Sequence, residues 1–201
     1  MSLVKEMAEE IGTMTKKKVD AVKRIGEVAE NKALDHKFDP DRGQRLLKGR
    51  YTYHNAKKLN ILHENDTSGV DEYDKYLSQY IDRSDPLYSP GYSRMVLTPD
   101  HHLSGTPVNT SYSAVYVPAD VEDTDPTVTN AIDWSRKLDD TFIENYAGDA
   151  SLSWQYFGSS TGFLRQYPAA KWPKGMDKQD IYDPRMQDWY SKSAASPKVG
   201  G

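Results

Sequence analysis

The chain has 201 residues, of which 28% are charged and 37% hydrophobic, with a formal net charge of −4 and a mean hydropathy of −0.80. This length allows one or two compact domains, and no run approaches the roughly 18 apolar residues of a membrane span. The absence of cysteine excludes disulfides, thiolate zinc sites and a cysteine nucleophile. The net negative charge argues against nucleic-acid binding, because the sequence shows only one local basic run, Lys16, Lys17 and Lys18. We interpret this run as a solvated helix face.

The first predicted element is one long amphipathic helix over residues 4–34. Its apolar positions follow steps of three and four residues, at Val4, Ala8, Ile11, Val22, Ile25 and Ala29. Because Thr15 and Lys18 interrupt the stripe, we expect the helix to pack against its own domain rather than form a long coiled coil. Asp39, Pro40 and Gly43 then end the helical pattern.

A strand and a loop-rich insertion are predicted next. The strand covers residues 50–62, and the insertion covers 64–100, where Asn, Asp, Ser, Gly and Pro are frequent. Within the insertion, residues 70–81 have the spacing of a short helix, with Tyr73 and Leu77 one turn apart. A surface loop is the simpler interpretation of the insertion. Because tyrosine is frequent in it, a surface interaction site is the alternative.

A second strand and a second helix follow. Residues 113–117 alternate small and apolar side chains and predict a strand that ends at Pro118. Asp125-Pro126 has the pattern of a capping aspartate with proline in the first helical position, and Gly148 ends the helix that follows. We expect Trp134 and Leu138, one turn apart, to pack on the sheet.

The C-terminal part begins with a β-hairpin pattern. Trp154 and Tyr156 alternate with polar residues, residues 159–162 supply the turn, and residues 163–167 resume the extended run up to Pro168. Asp183-Pro184 then opens a short helix. The aromatic residues of this part have two interpretations. They form an ordinary core, or they wall a pocket in which Arg185 and helix N–H groups bind an anion.

No catalytic motif appears in the sequence. Its five histidines, His36, His54, His63, His101 and His102, lack the spacing of a metal-binding helix, and no phosphate loop or nucleophile elbow is present. Neighbouring carboxylates such as Asp139 and Asp140 do not face one another on a helix. We therefore expect no enzyme and no metal site here. Asn65 and Asn109 each begin a sequon that accepts an N-glycan in a secreted protein.

The segment LSWQYFGSSTGFLRQYPAAKW, followed by YDPRMQDWY and AASPK, resembles the extracellular alpha-2/delta auxiliary subunits of voltage-gated calcium channels. The upstream run from PVNTSYSAVYVP to DASLSWQYFG has the same order and spacing, so the resemblance covers residues 107–198. It is weaker for the N-terminal helix, and between residues 35 and 99 only YTYHNAK is similar. In that family the block belongs to a PAS-like Cache domain and leads into a von Willebrand factor A domain.

The resemblance also implies a ligand pocket. Family members that bind free amino acids or gabapentin-like drugs have a Tyr-x-x-x-x-Arg-x-Trp-Tyr block whose arginine holds the ligand carboxylate. Tyr182, Trp189 and Tyr190 match it, and Trp172 matches an upstream pocket tryptophan. Gln187 stands at the clamp position, which removes the bidentate salt bridge. Arg185 matches another arginine of the motif, but on a helix or turn we expect it to point to a different side.

The resemblance implies an α+β fold with a long N-terminal helix and a PAS-like antiparallel sheet with flanking helices, incomplete in this fragment. The expected divisions are the helix at 1–38, a strand with an insertion at 39–106, the Cache-like segment at 107–198 and an appended tail at 199–201. No signal peptide is visible after Met1. The chain stops where the A domain with its divalent-ion site would begin, so we expect no cofactor in this fragment.

The leading functional hypothesis is an extracellular, non-enzymatic region of an alpha-2/delta-like subunit on the plasma membrane. It would support channel assembly, surface trafficking and current modulation. Its expected partners are the pore-forming subunit, the downstream A domain and the remaining Cache segments. The alternatives are a Cache-type sensor of a small amino-acid-like ligand, and a Cache and A-domain protein acting as an adhesion or receptor partner.

Overall fold

The computed structural model describes residues 3–48, 51–57, 59–61, 94–149 and 151–172. Its helices are α1 (Leu3–Leu34), α2 (Arg42–Leu47), α3 (Pro126–Ser135) and α4 (Asp139–Gly148), with 3-10 turns at His101–Leu103 and Arg136–Leu138. The predicted long N-terminal helix is confirmed almost to the residue. The predicted helix at residues 70–81 lies outside the described residues.

Within the ranges that the structure describes, eight short strands form three small sheets. They are β1 (Asn60–Ile61), β2 (Arg94–Met95), β3 (Thr98–Asp100), β4 (Thr106–Asn109), β5 (Ala114–Tyr116), β6 (Gln155–Gly158), β7 (Leu164–Tyr167) and β8 (Ala169–Ala170). The sheet orders are β1-β2, β3-β4-β8 and β5-β7-β6, and only the β1-β2 pair is parallel. Helices with small antiparallel sheets confirm the predicted α+β class.

The β5-β7-β6 sheet separates two hydrophobic clusters, because neighbouring residues on a strand point to opposite faces. Val115 and Phe163 pack on one side with Val128 and Ile132 of α3. On the other side, Tyr116 and Leu164 pack with a cluster from the flanking segments, made of Ala56, Leu59, Met95, Leu97, Ala114 and Ala169. The sheet is therefore covered by helices on one face and by extended segments on the other.

The predicted hairpin is confirmed. Gln155 pairs with Tyr167 and Gly158 with Leu164, so β6 and β7 are antiparallel around the expected turn. The backbone N–H of Ser159 donates to the carbonyl of Phe163 at 2.9 Å. Gly162 has φ of +98°, a conformation that favours glycine over any residue with a Cβ.

The start of α3 also confirms its sequence signal. Oδ1 of Asp125 accepts hydrogen bonds from the backbone N–H groups of Thr127 at 2.7 Å and Val128 at 3.3 Å. Pro126 occupies the beginning of the helix, where no N–H partner is required. Leu138 is fully buried and the half-buried Trp134 packs edge-on against Phe157, as expected for residues that face the sheet.

The prediction of a continuous strand over residues 50–62 is wrong. Residues 51–57 run beside β5 but form only one isolated bridge, between Asn55 and Val115. Oδ1 of Asn55 accepts from the backbone N–H of Lys57 at 3.0 Å, a local turn that ends the extension. Regular pairing resumes at β1, which has two residues.

Among the described residues, α1 is anchored along its C-terminal half only. Ala21, Ile25 and Ala29 are buried. Arg24 Nε donates to Oδ1 of the buried Asn145 at 2.8 Å, which fixes α1 to α4. Met7 and all residues from 9 to 19 are exposed, so α1 extends beyond the rest of the described structure.

Candidate functional site

Trp172 is the predicted pocket residue that the structure describes. Its ring stacks on Tyr116 of β5, with centroids 4.1 Å apart and planes inclined by 26°. Its backbone N–H donates to the carbonyl of Ala56 at 2.9 Å, which fixes its position against the extended segment. Trp172 is half-buried whereas Tyr116 is fully buried, so the tryptophan forms the outer layer of an aromatic wall.

A cation lies at the same wall. The Lys57 ammonium sits 4.9 Å from the centroid of the Tyr116 ring, within the range of a cation–π contact. Lys57 follows directly after Ala56, the residue whose carbonyl holds Trp172. Trp172, Tyr116 and Lys57 thus bring an aromatic surface and a positive charge together, which suits an anionic group on a small ligand.

The remaining predicted pocket residues lie outside the described residues. They are Tyr182, Arg185, Gln187, Trp189 and Tyr190. Their association with Trp172, and the role of Gln187 at the clamp position, stay predictions.

One of the two predicted glycosylation sequons is described. Asn109 ends β4, where its Nδ2 donates to the carbonyl of Val96 at 3.1 Å and its Oδ1 accepts from the N–H of Ser111 at 2.8 Å. The following Thr110 and Ser111 are exposed. Asn65 lies outside the described residues.

The most unusual ionisable group is one that we did not predict. Arg165 of β7 is only 3% exposed and points from the sheet toward α3. Its guanidinium donates to Oγ of Ser113 at 2.8 Å, to Oγ of Ser135 at 3.0 and 3.1 Å, and to the carbonyl of Ile132 at 2.7 Å. Ser113 in turn donates to the carboxylate of Asp139. Arg165 thus joins the sheet to both helices.

Burial lowers the pKa of Arg165 to about 10, against the effect of the Asp139 charge, which raises it. The guanidinium remains protonated at neutral pH, because even the lowered value lies well above 7. Its charge is balanced through Ser113 by Asp139, so the buried cation is compensated by hydrogen bonds and a nearby carboxylate.

A sequence signal for this buried cation does exist. Strand residues two apart share a face, so Phe163, Arg165 and Tyr167 must point the same way. Phe163 and Tyr167 are core residues, with exposures of 0% and 1%. An arginine between two buried aromatic residues on one strand face is therefore expected to be buried and hydrogen-bonded.

The same guanidinium explains a break in the helix predicted to run from residue 126 to 147. In an α-helix the carbonyl of Ile132 would accept from the N–H of Arg136. Here that carbonyl accepts from Arg165, and the N–H of Arg136 is directed to Asp133 instead. The chain therefore passes through the 3-10 turn Arg136–Leu138 between α3 and α4.

Within the part of the chain that the structure describes, no group of three or more His, Asp or Glu side chains is arranged to hold a metal ion. His36 instead shares a 2.9 Å hydrogen bond with Oδ1 of Asn130, which links the end of α1 to α3.

Comparison with known proteins gives a family match. The model of the VWA N-terminal family matches residues 29–172. The chain is 35% identical over 198 residues to the human voltage-dependent calcium channel subunit alpha-2/delta-3, a match that covers 98% of this chain. It is 33% identical to human alpha-2/delta-4 and 31% identical to human alpha-2/delta-2, again over 98% of its length.

These relatives are much longer. The chain spans 16% of the length of alpha-2/delta-3 and 15% of alpha-2/delta-4 and alpha-2/delta-2. Among its described helices, none combines the length and the apolar content that crossing a bilayer requires.

Proposed function

The chain belongs to the VWA N-terminal family, and from this membership we propose that it is an extracellular, non-enzymatic region of an accessory subunit of a voltage-gated calcium channel. In that role it supports assembly with the pore-forming subunit, surface trafficking and modulation of the current. The observation that carries the proposal is similarity over 98% of the chain to several proteins named as alpha-2/delta subunits.

The side-chain chemistry of the described residues supports a scaffolding role. The buried cation Arg165 directs its hydrogen bonds to two serines and a main-chain carbonyl that connect the sheet to the helices. The buried amides Asn145 and Gln155 bond to each other at 3.0 Å and connect α4 to β6. These buried polar side chains use their hydrogen bonds to hold helices and strands together, which favours a rigid accessory module over a reaction centre.

A chimeric subunit tests the proposal. The aligned region of human alpha-2/delta-3 is replaced by this chain, and the chimera is expressed with a pore-forming subunit. We expect surface-labelled pore-forming subunit and calcium current density to rise to levels comparable with those given by unmodified alpha-2/delta-3. The same chimera carrying Arg165→Met is the matched control, and we expect it to lose the effect because its fold is weakened.

A chimera that reaches the cell surface and leaves the current at the level of the pore-forming subunit alone would contradict the proposal. An adhesion or receptor role without a channel would then become the better explanation of the family match.

A specific observation favours ligand binding as a second candidate function. The stacked Trp172 and Tyr116, with Lys57 beside them, supply an aromatic wall and a cation at one place. A small amino-acid-like ligand has the matching carboxylate and apolar side chain. Gln187 at the clamp position weakens the carboxylate contact, because an amide carries no charge.

Calorimetric titration of leucine and gabapentin into the alpha-2/delta-3 chimera, beside its Gln187→Arg variant, tests this second function. We expect the arginine variant to bind more tightly than the chimera with Gln187. Tight binding with Gln187 in place would show that the pocket does not depend on an arginine clamp. No heat from either protein would remove the ligand hypothesis.

A further inference from the structure

The buried seam of α1 continues along the helix into a region that no described residue covers. Ala21 and Ile25 are 2% and 9% exposed where they pack on the rest of the structure. Met7, Ile11 and Met14 continue the same line at alternating steps of four and three residues, and they are 52%, 60% and 41% exposed. At 100° per residue, all five side chains project within one arc of about 80°.

The uncovered part is long enough to hold a partner. We call residues 3–19 the projecting half of α1. Fourteen residues separate Met7 from Ala21, which corresponds to about 21 Å of helix at 1.5 Å per residue. The spacing of 7, 11, 14, 18, 21, 25 and 28 is that of alternating a and d positions of a coiled-coil heptad.

We propose that the projecting half of α1 pairs with the projecting half of a second copy of this chain, in an antiparallel two-helix contact. In the register that we infer, Ile11 of one copy lies opposite Met14 of the other, and symmetry repeats this layer. Met7 then lies opposite Lys18 of the second copy. A lysine at one core position costs stability and specifies register, so we expect a weak but defined dimer.

The charges beside the stripe are complementary in this register. Glu10 and Lys17 are both exposed and occupy equivalent positions along one edge of the stripe, seven residues apart. In the antiparallel pair, Glu10 of each copy lies beside Lys17 of the other, which gives two opposite-charge contacts. A parallel pair in register would place Glu10 beside Thr15 and Lys17 beside Val22, without charge complementarity.

The rest of the molecule fits this arrangement. The packed part of each copy begins at Ala21, which its own chain covers, so the contact between copies ends before it and consists of the layers from Met7 to Lys18. The two packed parts therefore occupy opposite ends of the helix pair, about 25 Å apart along its axis at 1.5 Å per residue. A second copy can thus cover the exposed part of the stripe, from Met7 to Lys18, while the two packed parts lie at opposite ends of the pair.

Analytical ultracentrifugation of the whole chain over a concentration series tests the dimer. We expect the weight-average mass to rise from 22.8 kDa toward twice that value as concentration increases. Ile11→Asp should abolish the rise, whereas Val19→Asp, outside the stripe and about 120° from its centre around the same helix, should leave it unchanged. Circular dichroism checks that each variant remains folded.

Charge reversal tests the register. Glu10→Lys and Lys17→Glu should each weaken the dimer at least several-fold, and the double variant should restore wild-type association. A mass that stays at one chain over the whole series would overturn the proposal, and would leave another partner as the occupant of the stripe.

Disulfide trapping tests the orientation in a chain without native cysteine. Met7→Cys and Lys18→Cys proteins should form a covalent dimer when mixed and oxidised. Neither should do so alone, because equal residues lie about 16 Å apart in the antiparallel pair. Efficient cross-linking of the Met7→Cys protein by itself would show a parallel pair and overturn the proposed arrangement.

Discussion

Arg165 shows how one side chain can determine the geometry of several elements. Its guanidinium bonds to Ser113 before β5, to Ser135 at the end of α3 and to the Ile132 carbonyl. If the contact between sheet and helix were only apolar, the shapes of the side chains alone would determine how the helix is positioned on the sheet. Directional bonds from a planar group fix it, because they require donors and acceptors to meet at defined angles.

Replacing Arg165 by methionine should therefore destabilise the chain. The Ile132 carbonyl loses the shorter of its two side-chain hydrogen bonds and Asp139 loses a compensating charge, and we expect a loss of about 2–4 kcal/mol in the free energy of unfolding. Urea unfolding followed by tryptophan fluorescence measures it. Lys137→Met, at an exposed position of the neighbouring 3-10 turn, is the control and should change stability by less than about 0.5 kcal/mol. A similarly small change for Arg165→Met would show that the network contributes no net stability.

Asn109 gives a prediction about the compartment in which the protein matures. If the chain passes through the secretory pathway, we expect an N-glycan at Asn109, since its sequon is exposed at Thr110 and Ser111. A glycosylated amide keeps one N–H, so the hydrogen bond to Val96 is compatible with modification. Mass spectrometry of protein secreted from animal cells tests this. Ser111→Ala, which removes the sequon but keeps Asn109, should abolish the modification, and an unmodified wild-type Asn109 would contradict it.

Whole helices and strands were predictable where their signals are local. Asp125-Pro126 contains the cap and the first helical residue of α3, and residues 159–162 contain the complete turn between β6 and β7. The path of residues 51–57 was not predictable in the same way, because Asn55 meets Val115 from 60 positions away. The 3-10 turn after α3 also depends on a distant residue, Arg165. Of the predicted pocket, Trp172 alone falls within the described residues.

The cap of α3 provides a test with a pH dependence. The pKa of Asp125 is lowered, first by the hydrogen bond from the Thr127 backbone N–H, because that bond favours the carboxylate. A carboxyl group whose pKa is lower in the folded state stabilises the fold at pH values above its unfolded-state pKa of about 3.9. This contribution is lost as the pH falls through the folded-state pKa. Asp125→Ala should cost about 1 kcal/mol at pH 7.

Asp125→Asn is the matched control for that experiment. It keeps a capping oxygen without the charge, so its stability at pH 7 should stay within about 0.5 kcal/mol of wild type. Its stability should also fall less steeply below pH 4. Urea midpoints measured from pH 3 to pH 7 give both results, and an alanine variant as stable as wild type at pH 7 would show that the cap is not needed.

The attachment of α1 depends on a second polar network. The side-chain amide of Asn145 donates to Gln155 and to the carbonyl of Ala21, while its oxygen accepts from Arg24. Asn145→Ala should cost about 2–3 kcal/mol, because these buried partners are left unsatisfied. The backbone amides of residues 21–29 should then exchange faster with solvent. Lys23→Ala, at an exposed position of the same helix, should affect neither quantity.

The described part of the molecule combines a packed α+β unit with a helix, α1, whose projecting half no described residue covers. Helix propensity alone holds a segment of this length weakly in water, and most helical stability in proteins comes from packing. The buried residues Ala21, Ile25 and Ala29 stabilise the C-terminal half of α1 by packing, and the projecting half has no comparable contact with the described residues. Its stability should therefore depend on what it contacts, whereas that of residues 21–33 should depend on the sheet and helices beneath them.

Hydrogen exchange on the intact chain separates these two regions. In dilute solution the amides of residues 9–18 should exchange at least about tenfold faster than those of residues 21–33, because they open without disturbing the packed unit. Raising the protein concentration should slow exchange in residues 9–18 and leave residues 21–33 unchanged, since a dimer would cover only the projecting half. Ile11→Asp should remove the concentration dependence while keeping the protection of residues 21–33. Equal protection of both regions at the lowest concentration would mean that the projecting half is covered within a single chain.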